Sequence, residues 1–232
     1  MNNEITPLYD KNVICLLCST SFNTKKIRSR FLRVETTHSD FFTEYKNNQL
    51  NPIFYEVAVC PNCGFSSSDT FSSDMSEESR QSLNQQFTSW KEQDFGEERN
   101  LEDAIHVTKL AILSGMLKKE KAIVMAGLCL RLAWMHRLSN DWEQESRYLL
   151  QSIDQYKKSY SQVDYLQTTM TEMKVLYLIG ELLRRVGKEQ EAVQYLSRVV
   201  QHKHKHTDPK IVEMAREQWY EMRENDKERR FS

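Results

Sequence analysis

Two Cys-x-x-Cys pairs lie in the first third of the chain: Cys15 with Cys18, and Cys60 with Cys63 inside Cys60-Pro61-Asn62-Cys63-Gly64. A turn of this kind puts two sulfurs on one side of a tight loop, as two corners of a tetrahedron, and a second turn supplies the other two. The fold is therefore required to bring the two distant loops together. Pro61 fixes its own φ, and Gly64 permits a left-handed backbone just after the last ligand. Such a turn aims backbone N–H groups at the sulfurs, as thiolate sites need. Four thiolates leave no open coordination position, which predicts structural zinc, with iron in the same cage as the alternative.

Two other uses of paired cysteines fit less well. A redox-active pair needs one motif at a helix start in a βαβ setting, whereas no helical pattern surrounds Cys15 and two pairs are one too many. Structural disulfides need an oxidising compartment. Residues 1–12 are polar, carry Glu4 and Asp10, and read as neither a signal peptide nor a membrane span. A cytoplasmic setting with reduced thiols is expected. The fifth cysteine, Cys129, sits in the apolar run 123–130 and reads as a small core residue.

The rest of the chain points to helix. Six glycines and four prolines in 232 residues, with abundant Glu, Lys, Arg, Gln and Leu, favour it over most of the length. The longest apolar stretch, 122–135, is interrupted by Arg131 and too short to span a bilayer, so it predicts a helix buried among helices and no membrane partner. The formal charge of −1 gives no global reason to expect nucleic acid. The expected class is mainly α: a small zinc-stapled β head over residues 1–70, then a helical array over 71–232. Within the head, 31–35 and 53–59 have strand composition and predict one small antiparallel sheet. The 41 residues between Cys18 and Cys60 exceed a compact zinc ribbon, so 40–45 is expected to form an ordered excursion.

A Ser- and Asp-rich segment at 66–74 marks the boundary. Asp74 with Glu77 predicts a capped helix to about residue 91. Helical periodicity then runs over 100–115, 119–138, 140–160 (capped by Asn140, with Glu143 at N3), 164–186 (closed by Gly187) and 188–202. Asp208 and Pro209 open a last helix. Helix pairs joined by short turns predict a repeat array. In 176–200, the spacing of Gly180, Gly187, Ala192, Leu196 and Val199-Val200 resembles a tetratricopeptide repeat, in which small residues let two helices cross closely. The preceding pair matches loosely, since Asn140 replaces the turn glycine and Glu145 stands where a small residue is usual. The separation of Asn140 from Gly187 also exceeds the roughly 34 residues of a standard repeat.

The chain resembles a bacterial family known as domain of unknown function 2225. The residues that carry the resemblance are Cys15-Leu16-Leu17-Cys18, Asn51-Pro52 with Tyr55, Cys60-Pro61-Asn62-Cys63-Gly64-Phe65, Leu132-Ala133-Trp134, and the run from Tyr177-Leu178-Ile179-Gly180-Glu181 to Val186-Gly187. The similarity spans nearly the whole chain. It implies a zinc-ribbon-like head followed by tetratricopeptide-like helices, and it implies no activity. The first knuckle departs from the second in lacking its Pro and Gly.

Weaker candidates surround this site. His202, His204 and His206 alternate with lysines at a helix end and read as a solvated terminus, with metal or phosphate binding as the alternative. His38, near Asp40, reads as a surface histidine, with a metal role as the alternative. His106 and His136 read as satisfied core histidines rather than ligands. Arg184-Arg185 reads as a solvated helix face, with contact to an acidic partner as the alternative. Trp90, Trp134, Trp142 and Trp219 read as seam fillers, with a peptide groove as the alternative for some of them. No catalytic constellation is present, and four cysteine ligands leave no place for the water a metal hydrolase needs. The expectation is a non-enzymatic interaction module whose helical surface binds a protein or peptide. Its rival is nucleic-acid binding through Lys25, Lys26, Arg28, Arg30 and Arg33, a cluster that also reads as a basic loop balancing the acidic 69–78 segment.

Overall fold

The computed structural model describes residues 5–231. It opens with hairpins and continues with helices. β1 (Leu8–Ile14) pairs antiparallel with β2 (Ser21–Ile27), β3 (Val34–Thr37) with β4 (Thr43–Tyr45), and β5 (Val57–Val59) with β6 (Ser66–Ser68). The expected single sheet is three separate two-stranded ribbons. The first knuckle is the turn between β1 and β2, and the second is the turn between β5 and β6.

Both expected strands are shorter than their composition implies. Residues 29–31 form a 3₁₀ turn, so the strand begins only at Val34. The 53–59 segment is divided because Asn51 Oδ1 accepts from the Ile53 N–H at 3.2 Å and starts a 3₁₀ turn, Pro52–Tyr55, ahead of β5. Arg99, only 4 % exposed, fixes that turn to the strand by donating to the carbonyls of Phe54 (3.1 Å) and Val57 (2.7 Å). Burial depresses its guanidinium to about 10.

Seven helices follow among the described residues: α1 (Glu77–Gln86), α2 (Leu101–Lys118), α3 (Ala122–Leu138), α4 (Trp142–Gln162), α5 (Glu172–Arg185), α6 (Glu189–Val200) and α7 (Pro209–Phe231). Asn100 and Asp103 form a reciprocal capping box at α2. At α1 the cap is Ser76, whose Oγ accepts from Ser79 N at 3.1 Å, two residues after the expected Asp74, and the helix stops at Gln86. At α4 the cap is Asp141 (to Gln144 N, 3.1 Å), because Asn140 takes φ +56 to finish the turn out of α3.

The long helix expected over 164–186 is broken. Asp164 Oδ2 accepts from the Ala122 N–H at 2.7 Å, so its side chain caps the neighbouring α3. A 3₁₀ turn, Asp164–Gln167, follows, and Thr171 opens α5 instead. Gly187, at φ +75, closes the α5–α6 turn as expected.

α3 is buried almost all round, from Ala122 to His136, and Cys129 is 3 % exposed among its neighbours. Sequential helices pack against one another, α3 on α4, α5 on α6 and α6 on α7. At the α5–α6 crossing, a Cβ on Gly180 would stand 2.8 Å from Leu196 Cγ, so only glycine allows that approach. Phe42, Phe54 and Tyr55 share an apolar cluster with α3 and α5, while Val57 and Val59 pack with Val107 and Ala111 of α2. No helix among the described residues is long and apolar enough to cross a membrane.

Candidate metal centre

The two knuckles have the same backbone. In the first, Ser19 N–H donates to Cys15 O (2.9 Å) and Cys15 N–H to Thr20 O (2.9 Å); in the second, Gly64 N–H donates to Cys60 O (2.9 Å) and Cys60 N–H to Phe65 O (3.0 Å). The residue after each second cysteine is left-handed: Ser19 at φ +62 and Gly64 at φ +76. The first knuckle thus makes its turn without Pro or Gly.

The hairpins bring Cys15, Cys18, Cys60 and Cys63 together with all four sulfurs within 4.8 Å of one another. Cys15 Sγ is 3.6 Å from Cys63 Sγ, and Cys18 Sγ is 3.6 Å from Cys60 Sγ. A zinc–sulfur bond of about 2.3 Å gives a regular tetrahedron an edge of about 3.8 Å, so the two 3.6 Å separations are of the size that four sulfurs around one metal ion require. All five cysteines are free thiols.

Polar groups converge on the sulfurs. Amides of Leu17 and Cys18 face Cys15, and those of Asn62 and Cys63 face Cys60. The amides of Thr20 and Phe65 face Cys18 and Cys63 in the same way. Asn62 Nδ2 donates to Cys18 Sγ at 3.7 Å and to Thr20 Oγ1 at 3.3 Å. The hydrogen bond from Cys63 holds the Cys15 thiol well below the usual range, against the opposing effect of burial. That same contact, with burial, pushes Cys63 up, and burial pushes Cys60 up. Four sulfurs this close ionise together only around a cation, and a coordinating thiol is deprotonated outright. The donor set therefore fits a metal ion.

Beneath the second knuckle, Trp90 Nε1–H donates to Pro61 O at 2.8 Å. Arg80 Nη1–H donates to Leu17 O at 2.7 Å, tying α1 to the first knuckle. Phe65 and Leu83 bury the site's apolar side.

Residues 8–222 match a family described as an uncharacterized protein conserved in bacteria, DUF2225. The chain belongs to the DUF2225 family. No curated protein and no solved structure matches it.

Other candidates in this DUF2225 chain fall elsewhere. His38 pairs with Glu44 at 2.7 Å on its own hairpin and stands outside the sulfur group. His202 lies 3.3 Å from Glu172, while His204 and His206 are exposed. His106 is exposed beside Phe95, contrary to the core reading, because it falls on the outer face of α2. His136 is buried and stacks on Tyr148 at 5.4 Å. Trp134 fills a seam as expected, but Trp142 is 77 % exposed because it begins α4 on the outside.

The basic run is divided. Lys25 pairs with Asp10 (2.7 Å) and Glu97 (3.4 Å), and Lys26 with Asp69 (3.5 Å). Arg28 and Arg30 lie over the rings of Tyr9 and Phe31, each at 5.0 Å. Arg33 donates to the carbonyls of Arg30 and Leu32.

Arg184 and Arg185 are not a solvated face. Both donate to Glu181, whose side chain is fully buried, at 2.8 Å. A second buried carboxylate, Asp40, accepts from Arg137 Nη2 at 2.7 Å and from Trp134 Nε1 at 3.1 Å. Burial by itself would raise Asp40; the hydrogen bond from Arg137, the charges of Arg185 and Arg137, and the Trp134 indole outweigh it and hold the carboxyl below its ordinary range. Sequence reasoning singled out the 40–45 excursion but not these partners.

Proposed function

We propose that this DUF2225 chain is a non-enzymatic protein-interaction module of the cytoplasm. A structural zinc ion on Cys15, Cys18, Cys60 and Cys63 staples the β1–β2 and β5–β6 hairpins of a head, residues 1–70, and a body of tetratricopeptide-like helix pairs, residues 71–232, carries the surface for a protein or peptide partner. The observation that carries this reading is the sulfur group: four cysteine sulfurs lie within 4.8 Å of one another, and four thiolates around one ion leave no site for a reacting water. The close α5–α6 crossing at Gly180 supports the helix-pair description.

A second reading, nucleic-acid binding by the head, draws support from Arg28 and Arg30, which stack on aromatic rings and have no carboxylate partner among the described residues. It is weakened by the neutralisation of Lys25 and Lys26.

Affinity capture from the native cell with the full chain separates the two. A defined protein partner retained after nuclease treatment, and retained by an Arg28→Ala/Arg30→Ala/Arg33→Ala variant, is the expected result. Recovery of nucleic acid alone, lost in that variant and weakened steeply by salt, would sink the interaction-module reading.

A further inference from the structure

The β3–β4 hairpin is an arm held by its tip. All four residues of β3 are exposed, and the two strands pair only with each other. An isolated two-stranded hairpin is marginal in water, so its place is set by residues 39–42. Those four residues lie across α3 and α5, which are not consecutive helices.

The Ser39 carbonyl and hydroxyl and the Asp40 carboxylate are met by side chains from the two helices, while the Phe41 N–H donates to His38 O and the Phe42 N–H to Asp40 Oδ1 within the hairpin. Tyr177 OH donates to Ser39 O at 2.8 Å, and Ser39 Oγ donates to Glu181 Oε1 at 2.6 Å. Asp40 is held by Trp134 Nε1 and Arg137 Nη2, with Arg185 Nε 3.5 Å away. Phe42 is 1 % exposed; its ring packs 5.8 Å from Trp134 and lies under the Arg137 guanidinium at 5.1 Å. Phe41 lies 5.7 Å from Tyr177. Phe41 sits at φ +68 and the His38 N–H donates to Phe42 O at 2.8 Å, so what the two helices hold is a turn, by a carboxylate in an arginine–indole cage, an aromatic ring in the adjoining slot and a backbone carbonyl taken by a tyrosine.

We propose that the α3–α5 groove is a recognition site for an aspartate–aromatic segment of a partner protein, occupied in cis by the chain's own Ser39-Asp40-Phe41-Phe42 as an internal mimic. The partner enters by displacing the tip, and Arg137 and Arg185, whose side chains are 17 % and 21 % exposed, are where it first engages. This rests on the interaction-module reading and names its ligand chemistry. A tethered segment competes at an effective concentration of about a millimolar, so a free copy that binds the open groove with a Kd of about 0.1 mM or tighter gains at least about tenfold in apparent affinity once the cis segment is disabled.

The probe is a labelled peptide with the sequence of residues 36–44, titrated by fluorescence anisotropy into the full chain and into an Asp40→Ser/Phe42→Ser variant. Binding at least tenfold tighter to the variant, and lost when Arg137→Ala is added or the peptide aspartate is replaced by alanine, is expected. A folded variant that ignores the peptide at millimolar concentration overturns the proposal. If the variant does not fold, hydrogen exchange of the unmodified protein decides: amides of Phe41 and Phe42 exchanging at least tenfold faster than those of α5 support it, and exchange only together with α5 overturns it. A dimer in which two copies trade hairpins would overturn the foreign partner. If the groove rejects the peptide while the chain still captures a protein through another face, this inference fails and the interaction-module reading stands.

Discussion

The Trp90 indole lies across Gly64 so closely that a Cβ there would stand 2.5 Å from Trp90 Cδ2 and 3.0 Å from Phe87. The same ring donates its N–H to Pro61 O. Glycine at the second knuckle therefore answers two demands, a left-handed backbone and a neighbouring ring, while Ser19 at the first answers only the backbone demand.

Gly64→Ala is predicted to cost about 2–4 kcal/mol, the sum of left-handed strain and overpacking. Ser19→Gly is predicted to change stability by less than about 1 kcal/mol, since relief of strain is offset by a freer unfolded chain. Denaturant midpoints of the two variants, each with its metal content measured, check this. Equal losses at both positions would remove the role assigned to Trp90.

Metal content should follow the four cysteines alone. Purified protein is expected to carry one equivalent of zinc by atomic emission, Cys60→Ser to lose it, and Cys129→Ala to keep it, because Cys129 lies in α3 away from the group. Retention of a full equivalent by Cys60→Ser would show that the ligand set is wrong. Iron in place of zinc would change the metal assignment only.

At the α5–α6 crossing, Gly180→Ala drives a methyl group against Leu196 and is predicted to destabilise by about 1–3 kcal/mol. Gly187→Ala meets nothing within 4 Å and should cost only the backbone strain of a left-handed alanine, about 1 kcal/mol. A reversed order in urea titrations would contradict the close crossing.

His136 is predicted to make the protein acid-sensitive. Burial, and then the nearby charge of Lys109, lower its pKa, with Asp141 opposing. The unfolded chain therefore takes up a proton first: this contribution is complete above about pH 6.5 and lost as pH falls through the lower folded value. His136→Phe keeps a ring against Tyr148 and should flatten the fall in urea midpoint between pH 7 and 5. A slope unchanged by the substitution would assign the sensitivity to another group.

What could be read from the amino acids alone depended on how far apart the interacting residues are. The knuckles were legible because each is a four-residue pattern, and the α2, α5 and α6 periodicities because each is local. Asp141 and Asn140 are both good caps, and only the turn geometry decides between them. Asp164 misled because its carboxylate caps α3, 42 residues away. β1 and β2 escaped notice since Leu8–Ile14 and Ser21–Ile27 are half polar and only partly buried. The partners of Asp40 and Ser39 lie 94 to 146 residues away, beyond the reach of any local pattern.

That separation also orders events at the ribosome. The hairpin tip is synthesised early, but Arg185, which holds Ser39, follows 146 residues later. At about 5–20 residues per second, the delay is roughly 7–30 s. The cysteine pairs can come together during that interval, and Phe42 can find Trp134 and Arg137 of α3, while Phe41 has no seat on Tyr177 until α5 emerges. A nascent chain stalled before residue 172 would lack Tyr177, Glu181 and Arg185 and so would hold the hairpin tip by α3 alone, with Ser39 and Phe41 left without their partners.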